Sequence, residues 1–295
     1  MGNKKNIIKK PGVKTLSIHH GETFSEETGC VMPPIFSTST FKHGNKGNFD
    51  YTRSGNPNFK ILENILKSIE ESKYCTVFGS GISAVTAITS SLKSGDKILC
   101  ESNLYGCTVR MFEKIFKKFG IEVLYTDFTD KENLKEIKDL QPTLIWLESP
   151  TNPLLKVLDI KLICDEANKY KIPVVLDNTF STALIQKPLE IGATLSLIST
   201  TKFINGHSDA LGGAVLTNNE EWNSKMLFSQ KALGLQPSPF DTWLITRGVK
   251  TLPLRIEQQT KSAEIISKKI ENHRIISKVF YPFNQKHPQF NLAKS

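Results

Sequence analysis

The residues best suited to chemistry surround Lys202, which ends a short apolar run. The hydroxyl residues Ser199, Thr200 and Thr201 stand directly before this lysine, and a second apolar run ends in the carboxylate of Asp177. A lysine beside hydroxyls and an acid is suited to capturing an aldehyde covalently while the hydroxyls bind a phosphate. This combination indicates pyridoxal 5'-phosphate as a cofactor.

The elements that must position these residues alternate between strand and helix. Short apolar runs predict strands at Cys75–Phe78, Lys97–Cys100, Glu122–Tyr125, Leu144–Leu147, Val174–Leu176, Leu195–Ile198 and Ala214–Leu216. Helical spacing begins at Pro57 and continues in Ser83–Leu92, Val109–Phe119, Lys131–Lys138, Asp159–Tyr170, Trp222–Leu233 and from about Pro239 onward. This order predicts an α/β fold with a mainly parallel sheet covered by helices on both faces.

Parallel sheets bind ligands outside the carboxyl ends of their strands. Asp177, Ser199 and Thr201 fall at or just beyond such ends, and so does the turn Gly79-Ser80-Gly81, which leads into a helix. Small residues at a helix N-terminus let main-chain amides approach a phosphate. The sequence therefore predicts that these three strand ends meet around one site.

Composition favours a globular protein of the reducing cytosol. The chain has 295 residues, 39% hydrophobic and 23% charged, with no apolar run near the length of a membrane span. The lysine-rich start, Met1 to Lys14, lacks the apolar core of a signal peptide. Five widely spaced cysteines form no disulfide framework, and His19-His20 has no third ligand at a metal-binding spacing, so we expect no metal.

The net charge of +9 comes mainly from lysines spread along the chain. Such lysines are typical of solvated helix faces and are not gathered with aromatic residues into a nucleic-acid-binding stripe. We therefore expect no nucleic-acid partner, although the charge favours anionic small-molecule substrates.

Several motifs, taken in order, resemble the Cys/Met-metabolism branch of the pyridoxal phosphate enzymes, the cystathionine γ-synthase and γ-lyase group. The resemblance extends from about Thr15 to the end. It is carried by Asp50-Tyr51-Thr52-Arg53-Ser54-Gly55-Asn56-Pro57, Ser80-Gly81-Ile82-Ser83-Ala84, Leu104-Tyr105-Gly106, Glu148-Ser149-Pro150-Thr151-Asn152-Pro153, Asp177-Asn178-Thr179-Phe180, Ser199 to Gly213 and Arg247-Gly248-Val249-Lys250-Thr251-Leu252. It implies fold type I, with an N-terminal arm (1–50), a large cofactor-binding domain (51–250), and a linking helix that starts a shortened C-terminal domain (251–295).

The resemblance also implies roles for the cofactor residues. Lys202 would hold the cofactor covalently and then move protons on the substrate, while Asp177 would pair with the pyridine nitrogen. Tyr105 would stack on the ring, and Asn152 would lie beside it. The phosphate would be held by the amides of Gly81 and Ile82 and by the hydroxyls of Ser199 and Thr201.

By the same resemblance, Tyr51 and Arg53 would reach the phosphate of a neighbouring subunit. The site would then depend on a homodimer or homotetramer.

The reaction type follows from less decisive residues. Arg110 resembles the arginine that transsulfuration enzymes direct at the far carboxylate of the substrate, and Asp50 also favours a γ-synthase. Cys107 points to methionine γ-lyases, which carry a cysteine two residues after the stacking tyrosine. The resemblance favours γ-replacement, in which cysteine displaces the acyl group of an O-acyl-homoserine to give cystathionine. Elimination by a cystathionine or methionine γ-lyase is the alternative.

The C-terminal end departs from the family pattern. His287-Pro288-Gln289 and Asn291-Leu292-Ala293-Lys294 resemble the opening of the C-terminal domain, and Ser295 follows at once. The arginine that clamps the α-carboxylate of the substrate then has no counterpart, and turnover is expected to fall. A catalytically impaired remnant, or a partner subunit for a full-length relative, is the alternative of another class.

Overall fold

The structure is a computed structural model that describes residues 11–20 and 29–294. The start of the lysine-rich segment, residues 1–10, therefore lies outside the described residues, as do residues 21–28 and Ser295. No helix in these described ranges is long and apolar enough to cross a membrane.

One seven-stranded sheet forms the centre of the molecule, in the order β1-β7-β6-β5-β4-β2-β3. The strands are β1 Tyr74–Phe78, β2 Lys97–Glu101, β3 Glu122–Thr126, β4 Leu144–Glu148, β5 Val174–Asp177, β6 Leu195–Ile198 and β7 Gly213–Thr217. Strands β2 to β6 pair in parallel, and β7 runs antiparallel to both β1 and β6. The predicted mainly parallel sheet is confirmed.

Helices cover both faces of this sheet. They are α1 Val13–His19, α2 Pro57–Glu70, α3 Gly81–Thr89, α4 Gly106–Lys114, α5 Lys135–Leu140, α6 Ile160–Lys169, α7 Thr182–Ile185, α8 Pro188–Ile191, α9 Glu220–Ala232, α10 Pro239–Val249, α11 Leu252–Ile270 and α12 Phe290–Lys294. Buried clusters lie on the two sides of the sheet. One includes the edge-to-face pair Phe112 and Trp146, with ring centroids 5.2 Å apart, and another is formed by α2, α10 and α11 against β1 and β7. This core fixes the strands in their register and so fixes the positions of the residues that follow each strand.

Helix α1 lies in the predicted N-terminal arm (1–50), for which the local sequence pattern predicts no helix. Its Val13 and Leu16 pack against the cluster that contains α2 and α11. Seven residues are too few for a helix to be stable alone. Tertiary packing, which a local pattern does not report, supplies the stability of this helix.

Candidate active site

A cavity of about 190 Å³ opens at the carboxyl ends of the parallel strands. Eight of the residues predicted to bind the cofactor line it, namely Gly81, Ile82, Tyr105, Asn152, Asp177, Ser199, Thr201 and Lys202. A wider groove of about 690 Å³ continues outward past Thr201 and Lys202. The structure thus brings together residues that span more than a hundred positions of the sequence.

Lys202 stands on a tight turn directly after β6. Its N–H donates to the carbonyl of Ser199 at 3.1 Å, and its own carbonyl accepts the N–H of Gly206 at 2.8 Å. The preceding residue, Thr201, is bound to the residue directly before β7, because its Oγ1 accepts the N–H of Gly212 at 2.9 Å. The main chain that carries the lysine is therefore held on both sides.

The N-terminus of α3 forms the opposite wall and has the geometry of an anion site. Ser80 caps the helix, with its Oγ accepting the N–H of Ser83 at 3.0 Å. A Cβ on Gly81 would lie 2.8 Å from Cβ of Ser199, so a larger residue would fill the space between them. The amide-rich helix end facing two hydroxyl residues fits a phosphate group.

Asp177 ends β5 and is buried. Its Oδ1 accepts the N–H of Thr179 at 3.0 Å, and the hydroxyl of Thr179 accepts the N–H of Ser199 at 2.9 Å. Burial raises the pKa of Asp177, and the hydrogen bonds from Thr179 oppose that shift. A buried carboxylate that lines the cavity is suited to a cationic N–H partner such as a pyridinium.

Glu148 is a cavity residue that the sequence analysis treated only as part of a motif. It ends β4 and pairs in register with Asp177 of β5, and its Oε2 accepts the N–H of Tyr105 at 2.7 Å. Burial first, and then the charge of Asp177, raise the pKa of Glu148 to about 9. The sequence could have indicated Glu148 as a site residue, because it ends an apolar strand just as Asp177 does.

Tyr105 begins the loop-to-helix junction before α4 and is 39% exposed at the cavity mouth. A hydrogen bond with the side chain of Cys107 is the main cause of the raised pKa of Tyr105, followed by burial. The guanidinium of Arg110 lies 3.5 Å from Cys107 Sγ, one helical turn further on. The three side chains form one polar group, of which Tyr105 lines the cavity.

Four predicted residues do not line this cavity, namely Asp50, Tyr51, Arg53 and Arg110. Arg53 lies over the ring of Tyr51, 5.4 Å from its centroid, and donates to the carbonyl of Lys231 at 2.9 Å. Tyr51 is 39% exposed, and Asp50 beside it is exposed as well. Within one chain the first three of these residues contact surface elements and not the lysine site.

A mainly parallel sheet with a lysine, a buried aspartate and a helix N-terminus around one cavity is the arrangement of a pyridoxal phosphate-dependent enzyme. Residues 14–295 match the family described as Cys/Met metabolism PLP-dependent enzyme. The chain belongs to this family, and its cofactor is pyridoxal 5'-phosphate.

Among curated relatives, a probable cystathionine γ-synthase of Herpetosiphon aurantiacus is 40% identical over 286 residues, which is 96% of this chain and 90% of that protein. A cystathionine γ-lyase of Dictyostelium discoideum is 39% identical over 286 residues, 96% of this chain and 74% of that one.

Solved structures agree with the sequence relatives. The crystal structure of metB from Corynebacterium glutamicum matches with a TM-score of 0.94 at 36% identity, covering 97% of this chain and 75% of that chain. A cystathionine γ-synthase from Xanthomonas oryzae pv. oryzae in complex with cystathionine matches with a TM-score of 0.92 at 35% identity, with the same shares covered. The fold is that of fold type I transsulfuration enzymes, whose synthases and lyases share it.

Proposed function

We propose that this protein catalyses γ-replacement, exchanging the acyl group of an O-acyl-homoserine for the sulfur of cysteine to give cystathionine. The observation that carries the proposal is the convergence of Lys202, Asp177 and Tyr105 with the α3 N-terminus on one cavity. The choice of a synthase over a lyase is supported by Arg110, which lies beside Cys107 in the polar group that includes Tyr105, and by the synthases among the relatives.

The lining residues form groups, each of which suits a different part of the cofactor. The amides of Gly81 and Ile82 and the hydroxyls of Ser199 and Thr201 would hold the phosphate, and Lys202 Nζ would hold the aldehyde carbon covalently. When bound, pyridoxal phosphate supplies a ring that accepts electrons and so stabilises negative charge at the substrate Cα.

Asp177 and Glu148 end adjacent strands side by side, and burial raises the pKa of both carboxyl groups. Since the pKa of Glu148 is raised to about 9, its carboxyl holds a proton at neutral pH, and Asp177 carries the charge that favours a protonated ring nitrogen. Glu148 also fixes the main chain of Tyr105, whose ring is placed to stack on the cofactor.

Lys202 and Arg110 act on the substrate. Once an incoming amino group has displaced it, Lys202 Nζ takes the proton from Cα and returns it later. Nζ next takes a proton from Cβ, and the electrons of that C–H bond form a Cβ–Cγ double bond and expel the acyl group from Cγ as a carboxylate. The sulfur of cysteine, which gives up its thiol proton, then adds to Cγ while Cβ takes a proton back. Arg110 binds the far carboxylate of the substrate or product.

A second copy of the chain completes the site in this proposal. Tyr51 and Arg53 are exposed and stand away from their own cavity, which leaves them accessible to the phosphate held by a neighbour. The protein is accordingly a homodimer or homotetramer that acts on small amino-acid substrates.

A γ-lyase is the second candidate, favoured by the contact of Cys107 with Tyr105 and by the lyases among the relatives. Purified protein with pyridoxal phosphate, acyl-homoserine and cysteine separates the two reactions. Cystathionine formation supports the synthase, whereas 2-oxobutyrate without a thiol adduct overturns it in favour of elimination. A cofactor absorbance band that is unchanged in Lys202→Ala would overturn the role of the lysine, and no band in the native chain would indicate a catalytically impaired protein.

A further inference from the structure

The turn that follows Lys202 is fastened to α11 by a single arginine. The Nη1 atom of Arg255 donates to the carbonyl of Phe203 at 2.6 Å, and Nη2 donates to the carbonyl of Ile204 at 3.1 Å. Nη2 also donates to the carbonyl of Gly248 at 2.9 Å, at the end of α10. One planar guanidinium therefore joins α11, the end of α10 and the two residues next to the lysine.

This guanidinium is held by main-chain carbonyls and by the hydroxyl of Thr251, which accepts from Nε at 3.0 Å, and not by an acid. Among residues 11–20 and 29–294, no carboxylate lies within ion-pair distance of Arg255. Burial lowers the pKa of Arg255, although an arginine stays charged in proteins. Because burying an unpaired charge is costly, its three charge-assisted bonds to main-chain oxygens must be well formed.

The turn is shaped to admit the arginine. Gly206 has a φ of +74°, and a Cβ there would lie 2.0 Å from Arg255 Nη1. On the other side, a Cβ on Gly248 would lie 2.3 Å from the carbonyl oxygen of Asn205, so α10 packs directly against the turn. Glycine is required at both positions for the close approach of the main chain.

We propose that Arg255 is a positioning residue that fixes the 203–206 turn and thereby directs the amine of Lys202 into the cavity. This inference rests on the proposed role of Lys202 as the residue that binds the cofactor. The long lysine side chain is flexible, so the direction of its amine depends on the placement of the main chain that carries it.

The test is covalent labelling of Lys202 in the full chain by pyridoxal phosphate and borohydride, with each lysine quantified by peptide mass spectrometry. Arg255→Lys keeps the charge but loses the planar fork that binds separate carbonyls. We expect labelling at Lys202 to fall about tenfold while labelling of surface lysines stays constant. Arg274→Lys, at an exposed position after α11, is the matched control and should label like the native chain.

Gly206→Ala provides an independent approach to the same contact. The added Cβ displaces the guanidinium, so this variant should reproduce the labelling loss of Arg255→Lys. The two changes should not add, because both remove one interaction. Thermal unfolding is recorded for every variant, and labelling is measured well below each midpoint, where a purely structural role would leave Lys202 labelling unchanged.

The outcomes separate the two proposals. If Lys202 is not labelled in the native chain while other lysines are, the proposed function fails. If Lys202 is labelled equally in the native chain, Arg255→Lys and Gly206→Ala, the proposed function stands and the role of Arg255 is overturned. Additive losses in the double variant, or lower thermal stability without selective loss at Lys202, would also overturn it.

Discussion

Glu148 and Asp177 lie side by side at the carboxyl ends of adjacent parallel strands, and both line the same cavity. Two buried carboxylates at this spacing cannot both carry a charge without a large electrostatic cost. Burial and the charge of Asp177 raise the pKa of Glu148 to about 9, so the proton belongs on Glu148 at neutral pH. Glu148 therefore acts as a neutral group that accepts the N–H of Tyr105.

This relationship predicts different outcomes for two substitutions of Glu148. Gln has the shape of the protonated acid and keeps an oxygen for the Tyr105 N–H, so Glu148→Gln should change the free energy of unfolding by less than about 1 kcal/mol. Glu148→Ala leaves that N–H without its partner and should cost about 1–3 kcal/mol. Urea unfolding at neutral pH measures both, and an equal loss in the two variants would show that the charge of Glu148 is needed.

The anion site at the start of α3 predicts the effect of Gly81→Ala. Its Cβ would lie 2.8 Å from Ser199 Cβ, which would push the two phosphate-binding walls apart. We expect a loss of about 1–3 kcal/mol in stability and a weaker affinity for pyridoxal phosphate, measured by equilibrium dialysis. Gly12→Ala is the control, because a Cβ there meets nothing within 4 Å. Unchanged cofactor affinity in Gly81→Ala would place the phosphate elsewhere.

The proposed role of Arg110, which contacts Cys107, predicts a selective change in substrate affinity. Arg110→Lys keeps a positive charge but loses two-point binding of a carboxylate, so KM for a substrate with a far carboxylate should rise about tenfold. Steady-state kinetics with acyl-homoserines that have or lack that carboxylate provide the comparison. If KM rises equally for both substrates, Arg110 does not contact this carboxylate.

Glu70 at the end of α2 predicts how stability depends on pH. Burial raises its pKa to about 7, although Asn178 and Ser196 donate hydrogen bonds to it. The folded protein therefore binds more protons than the unfolded chain between about pH 4.5 and 7, and its unfolding free energy falls as pH rises through that range, by roughly 3 kcal/mol from this group.

Glu70→Gln should remove this part of the pH dependence. Urea unfolding between about pH 5 and 8 would then show a flatter profile than the native chain. Glu132→Gln, at an exposed position, is the control and should retain the native slope. Parallel profiles for the native chain and Glu70→Gln would show that Glu70 titrates normally.

Much of the fold and of the candidate site could be predicted from sequence, because both depend on local patterns. Short runs of three or four residues marked all seven strands to within one residue at each end. Polar residues at the ends of those runs marked Asp177 and Lys202, since the carboxyl ends of parallel strands share one edge of a sheet. The helix from Pro57 followed from its apolar spacing and its initial proline.

The tertiary structure decided what depends on contacts between distant segments. Helix α1 forms through packing on α2 and α11. Burial beside the charge of Asp177 raises the pKa of Glu148. Arg255 reaches the turn after Lys202 from about fifty residues away, through bonds to main-chain carbonyls. Every residue has a main-chain carbonyl, so the sequence does not indicate which residues Arg255 binds. Only the packing of α11 on the sheet brings the two together.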